Sequence, residues 1–146
     1  MTTIEKNTKI TNHICRIYWN LASDIASLVK TSNFTAVISF LTGSWTEIYI
    51  TPPAQLDEKS ESGFSGQIIK STITFHFPGE ESTNAEAFAQ LLGRGLVLRL
   101  VYDNGTEKLL GTKDNPVYLE MKNASSPTAG FNFSGEITDL EQNYWL

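Results

Sequence analysis

The sequence predicts a mostly β protein of the α+β type: an antiparallel sheet, sandwich or barrel of about eight strands, with one or two short helices packed on it. Three observations carry this. Several segments alternate apolar and polar residues with a period of two, most clearly QIIKSTITFHF at 67–77. Gly, Pro and Asn turn signals recur at short intervals, and short connections make neighbouring strands antiparallel. Charged residues make up only 18% and aromatics 11%, in a chain rich in Ser, Thr and Asn. That composition suits sheet faces and turns better than long surface helices, which carry many Glu and Lys.

Residues 1–8 read as a loose polar N-terminal tail. HICRIYW (13–19) is a strand with Ile14, Arg16 and Tyr18 on one face and His13, Cys15, Ile17 and Trp19 on the other. LASDIASLVK then places Leu21, Ile25 and Leu28 at helical spacing, which predicts a short helix over 22–30 capped by Asn20 or Ser23. FTAVISFL (34–41) and WTEIYIT (45–51) read as the two strands of a hairpin around Thr42-Gly43-Ser44. TPPAQLDEKSESGFSG (51–66) is expected to be a long exposed loop, because Pro52 and Pro53 lack the N–H that a central ladder needs. In 67–77, Ile69, Ser71, Ile73, Phe75 and Phe77 share one face, and His76 lies on the polar one.

PGEESTNAEAFAQLLGRG (78–95) predicts a helix lying flat on the sheet. Thr83 and Glu86 have capping-box spacing, Ala85, Phe88, Ala89 and Leu92 form an apolar stripe, and Gly93 or Gly95 ends it. LVLRLVY (96–102) and TEKLLGT (106–112) flank Asp103-Asn104-Gly105, which predicts a type I′ hairpin turn. Leu96, Leu98, Leu100 and Tyr102 then face the core and Arg99 the other side. Asp114-Asn115-Pro116 turns the chain into VYLEMK (117–122), and FNFSGEI (131–137) is a last strand with Phe131, Phe133, Gly135 and Ile137 on one face. The aromatic ending DLEQNYWL is either packed down or kept for another molecule.

At 146 residues the chain reads as one domain, 1–146, long enough to bury a substantial core. A net charge of −5 and eleven scattered basic residues argue against sequence-independent nucleic-acid binding. No stretch approaches the length of a membrane span, and the start MTTIEKNTKITN has no apolar run. The single cysteine, Cys15, forms no internal disulfide, and no Cys/His cluster has zinc spacing. Hydrolase, phosphate-loop, dinucleotide and metalloprotease motifs are missing. Asp57, Glu58 and Glu61, like Glu80 and Glu81, fall in loop-like segments, where carboxylates are ordinarily solvated. Cys15 has His13 two residues away as a candidate base, and a small buried hydrophobe is the better reading of that cysteine. The expectation is no enzyme, no metal and no cofactor.

The 96–146 region, with YDNGTEKLLGTKDNPVYLEM, then FNFSGEI and the aromatic ending, resembles small proteins encoded in phage and prophage structural gene clusters, which build tails or head–tail joints. HICRIYW leading into SDIASL is similar in outline, whereas the DEKSESG segment has no counterpart. The resemblance implies a non-enzymatic structural or assembly protein that works through protein–protein contacts. Its partners would be other copies of itself and other structural proteins, with no nucleic acid and no membrane. It would be a homo-oligomer in the assembled state, cytoplasmic until built into a virion. The candidate partner contacts are Pro52, Pro53, Asp57 and Glu58 in the 51–66 loop, Asn104 at the hairpin tip, and Tyr144, Trp145 and Leu146. A second reading is a β-sandwich binding module that recognises a glycan or peptide through exposed Trp19, Trp45 or Trp145.

Overall fold

The described residues fold mostly as antiparallel strands. The computed structural model describes residues 13–31, 35–40, 44–48, 50–63, 66–78, 91–124, 130–139, 143 and 145–146. They hold ten strands: β1 (Ile14–Leu21), β2 (Ile25–Lys30), β3 (Ala36–Phe40), β4 (Thr46–Ile48), β5 (Thr51–Gly63), β6 (Gly66–Pro78), β7 (Leu96–Tyr102), β8 (Glu107–Leu110), β9 (Leu119–Ala124) and β10 (Gly130–Asp139). Every strand pair is antiparallel. The main sheet runs β8-β7-β1-β5-β6-β10-β9 with β4 also on β1, and β2 and β3 form a separate two-stranded ribbon. Among the described residues the only helix is a single 3-10 turn, Ala22–Asp24, so none is long and apolar enough to cross a membrane. The expected tail 1–8 and most of the expected helix over 78–95 lie outside the described residues.

The main sheet stays open, yet it curls strongly. β8 pairs antiparallel with β7 as far as Leu110↔Leu98. After an excursion through 112–116 the chain rejoins the same line, where Val117 and Leu96 exchange two backbone hydrogen bonds of 2.8 Å. It then continues into β9, beside β10. One line of chain therefore borders β7 at its start and β10 at its end. The curl encloses the main core: Ile17, Ile73, Leu96, Leu98, Leu100, Leu110 and Val117 are fully buried there, and Phe75 stacks on its cross-strand partner Phe133 at 5.0 Å. On the outer face of β7 and β8, Val97 and Leu109 are covered by the β2–β3 ribbon, with Ile25, Leu28, Ile38, Phe40 and Trp45 filling the seam.

Four expectations are corrected, each for a local reason. The helix over 22–30 is the 3-10 turn followed by β2. A bulge between Ile25 and Ser27 adds a residue, so Ile25 and Leu28, three apart, both face inward and mimic helical spacing. The expected hairpin of 34–41 with 45–51 does not form: β3 pairs with β2, and β4 pairs with β1. The expected loop over 51–66 is instead β5 and the start of β6, two long paired strands. Between Thr51↔His76 and Gln55↔Thr74 the ladder skips, so Pro52 and Pro53 fall where no N–H is required. The Asp103-Asn104-Gly105 turn is not type I′. Only Gly105 has positive φ, at 87°, the Gly105 N–H donates to Tyr102 O at 3.0 Å, and the Tyr102 N–H donates to Thr106 O at 2.9 Å. That is a three-residue loop, a type I turn followed by a glycine bulge.

Candidate functional site

β8 reads EKLL, and the pleat points Lys108 and Leu110 to the interior together. Leu110 meets the main core. Lys108 is only 8% exposed. Opposite it, the β5–β6 register pairs Glu58 with Ser71, and Ser71 is buried on the same face as Ile73 and Phe75. Lys108 Nζ is bonded to Glu58 Oε1 across this space. Lys108 is the buried partner, and removing Glu58 would leave its charge in a largely desolvated position.

The last described residues close the cluster. Trp145 bridges Lys108 on the free edge of β8, and the Leu146 N–H donates to Glu107 O at 2.9 Å. On the other side, Ala36 N–H donates to Trp145 O at 3.0 Å, so Trp145 joins the ribbon to the main sheet. Its ring lies 4.7 Å from Lys108 Nζ and 5.5 Å from the Tyr102 ring, a cation–π contact and a tilted aromatic one. Asn143 Nδ2 donates to Glu58 Oε2 at 3.2 Å and to Ser71 Oγ at 2.8 Å. Burial raises the pKa of the Tyr102 phenol, and the nearby Glu58 charge raises it further. Glu58 is thus the hub: one oxygen holds an ammonium, the other an amide.

The structure brings together two of the expected contact residues, Glu58 and Trp145, through a lysine that the sequence reading did not single out. Nor did that reading single out Asn143. The usable signal was the inward parity of Lys108 in EKLL. Asp57 points outward and accepts from Gln55 Nε2 at 3.3 Å. Asn104 caps the hairpin tip, its Oδ1 accepting from the Thr106 N–H at 3.1 Å and from Thr106 Oγ1 at 2.7 Å. Pro52 and Pro53 sit at the ladder skip in β5, Leu146 is 38% exposed, and Tyr144 lies outside the described residues.

The Cys15–His13 pair is separated by a bulge. Ile14 pairs with Tyr102 and Arg16 with Val101, so Cys15 is the extra residue, and Ile14 and Ile17 both turn into the core. Cys15 Sγ donates to Val101 O at 3.5 Å, and His13 is exposed. His76 lies on the polar face as expected, its Nδ1 2.7 Å from Asn132 Oδ1. Trp19, Trp45 and Trp145 are all half-buried. Trp45 and Tyr18 flank the Arg99 guanidinium at 5.4 and 4.1 Å, and Glu107 pairs with it at 3.6 Å. A groove of about 530 Å³ opens between β2, the 111–115 turn and the end of β10, and reaches Asn143. Among the described residues no three His, Cys, Asp or Glu side chains gather as a metal site. No family model, curated protein or solved structure matches the chain.

Proposed function

We propose that this chain is a non-enzymatic structural protein that works through contacts with copies of itself and with other structural proteins, as do the phage-like tail or head–tail components its 96–146 region resembles. The observation that carries the reading is the β5–β6 arm. Among the described residues β10 pairs with β6 as far as Asp139↔Ile69, and β5 and β6 pair on through Glu61↔Ile68, Ser62↔Gln67 and Gly63↔Gly66. The arm is a two-stranded ribbon that satisfies its own inner hydrogen bonds and presents exposed Lys59, Ser60, Glu61 and Ser62. Such a ribbon can add to a sheet edge or lie in a groove of another subunit without any reactive group. Identical subunits meeting in this way close into rings when the rotation permits.

Sedimentation and light scattering over a wide concentration range test this. The expected outcome is a concentration-dependent oligomer that weakens when Lys59→Glu and Glu61→Lys reverse the charges of the arm, with the circular dichroism spectrum unchanged. A monomer at every concentration, alone and with structural proteins encoded beside it, would overturn the reading.

A further inference from the structure

We propose that Lys108 and Asn143 are the two ends of an intramolecular isopeptide bond, formed with Glu58 as the proton carrier. Both partners are bonded to the same carboxylate, one on each oxygen. A lysine amine is a nucleophile only when neutral, and Lys108 is nearly enclosed, with its ammonium bonded to a carboxylate that can accept the proton. The electrophile is the Asn143 side-chain amide, held against the other oxygen of the same carboxylate. Ser71 Oγ fixes the amide from a second side, and the Trp145 ring covers the ammonium. Holding both partners on one carboxylate makes an otherwise slow bimolecular step intramolecular.

The step balances without a co-reactant. Lys108 Nζ transfers one proton to Glu58 Oε1, leaving a neutral amine and a carboxylic acid. The amine attacks Asn143 Cγ, forming the new C–N bond and a tetrahedral centre. Glu58 then delivers a proton to Asn143 Nδ2, the leaving nitrogen, and the old C–N bond breaks to release ammonia. The surplus proton on the former lysine nitrogen returns to the carboxylate and leaves with the ammonia as ammonium. Nothing is oxidised or reduced, and Glu58 ends as it began. The groove that reaches Asn143 gives the ammonia a way out. In the role of general acid and base, Glu58 contacts both reacting nitrogens through its two oxygens. The bond does not depend on the assembly reading, because a monomer would form it equally.

Mass spectrometry of the full chain decides the matter. The denatured protein should be lighter than its sequence by one ammonia. Trypsin should leave a branched peptide in which Leu100–Lys113 is joined to Asn123–Leu146, since a modified Lys108 is no longer cleaved. Lys108→Arg, which keeps the charge, and Glu58→Gln should each show the full mass and no branch. A wild-type protein that keeps its full mass after long incubation at neutral pH overturns the proposal. A lighter mass without the branched peptide overturns it equally, because cyclisation at Asn104-Gly105 also expels ammonia.

Discussion

Individual positions in this sheet differ sharply in what they tolerate. A Cβ on Gly135 would stand 2.7 Å from Val117 Cγ1 and 3.0 Å from Leu119 Cδ2, both on buried residues of the line that runs from β8 into β9. Gly135→Ala should therefore destabilise the protein by about 1–3 kcal/mol, read as a lower urea midpoint at unchanged slope. Tyr102 carries a pH signature. Its folded pKa is raised, by burial first and by Glu58 second, so the neutral phenol is the favoured folded form. Its contribution to stability is complete below the unfolded value of 10.0 and is lost as pH rises through the folded value. Phenolate absorbance should show one tyrosine ionising late, and Glu58→Gln should bring it part of the way back while burial keeps the rest. Residue-level parity was readable from sequence wherever the ladder is unbroken: Ile69, Ser71, Ile73 and Phe75 face inward as the alternation requires. It failed at Ile14, because nothing in HICRIYW announces the extra residue at Cys15.

At the level of elements, bulges decided what the sequence could disclose. In β1 and again in β2 an added residue sets two inward side chains three apart, and in β2 that spacing is indistinguishable from one face of a helix. The prolines of β5 were misleading for the opposite reason: a rule that is sound for a regular ladder does not apply where the register skips. The charged, glycine-punctuated run that follows looked like a loop because an exposed arm has no buried face to produce alternation. The β2–β3 ribbon illustrates dependence between elements. Its outer face shows Val29 paired with Val37, both more than half exposed, so substitutions there should change stability by no more than about 0.5 kcal/mol. Its inner face rests on Leu109, which is 1% exposed. Leu109→Ala should cost about 2–4 kcal/mol, and hydrogen exchange should speed up most at the amides of β2 and β3.

For the molecule as a whole, the antiparallel, mostly β architecture was legible because alternation and turn chemistry are local. The site was not, because Glu58, Lys108 and Asn143 are far apart in sequence and meet only once the sheet has curled. Trp145 is the residue whose backbone belongs to both sheets. Ending the chain before Asn143 should therefore release the ribbon from the β8 edge, raising amide exchange at Ala36 and along β8 while β6 and β10 stay protected. An unchanged exchange pattern would mean that the seam around Leu109 holds the ribbon unaided. The excursion at 112–116 has a further use. The line it interrupts is anchored on both banks, by Leu110↔Leu98 before it and by Val117↔Leu96 after it, while Lys113 and Asp114 are exposed. Closure entropy grows only slowly with length, by about 0.6 kcal/mol per doubling. A foreign peptide spliced between Lys113 and Asp114 would thus be carried outward on a scaffold whose registration it does not disturb, which makes this bend the natural grafting point for an epitope or a tag.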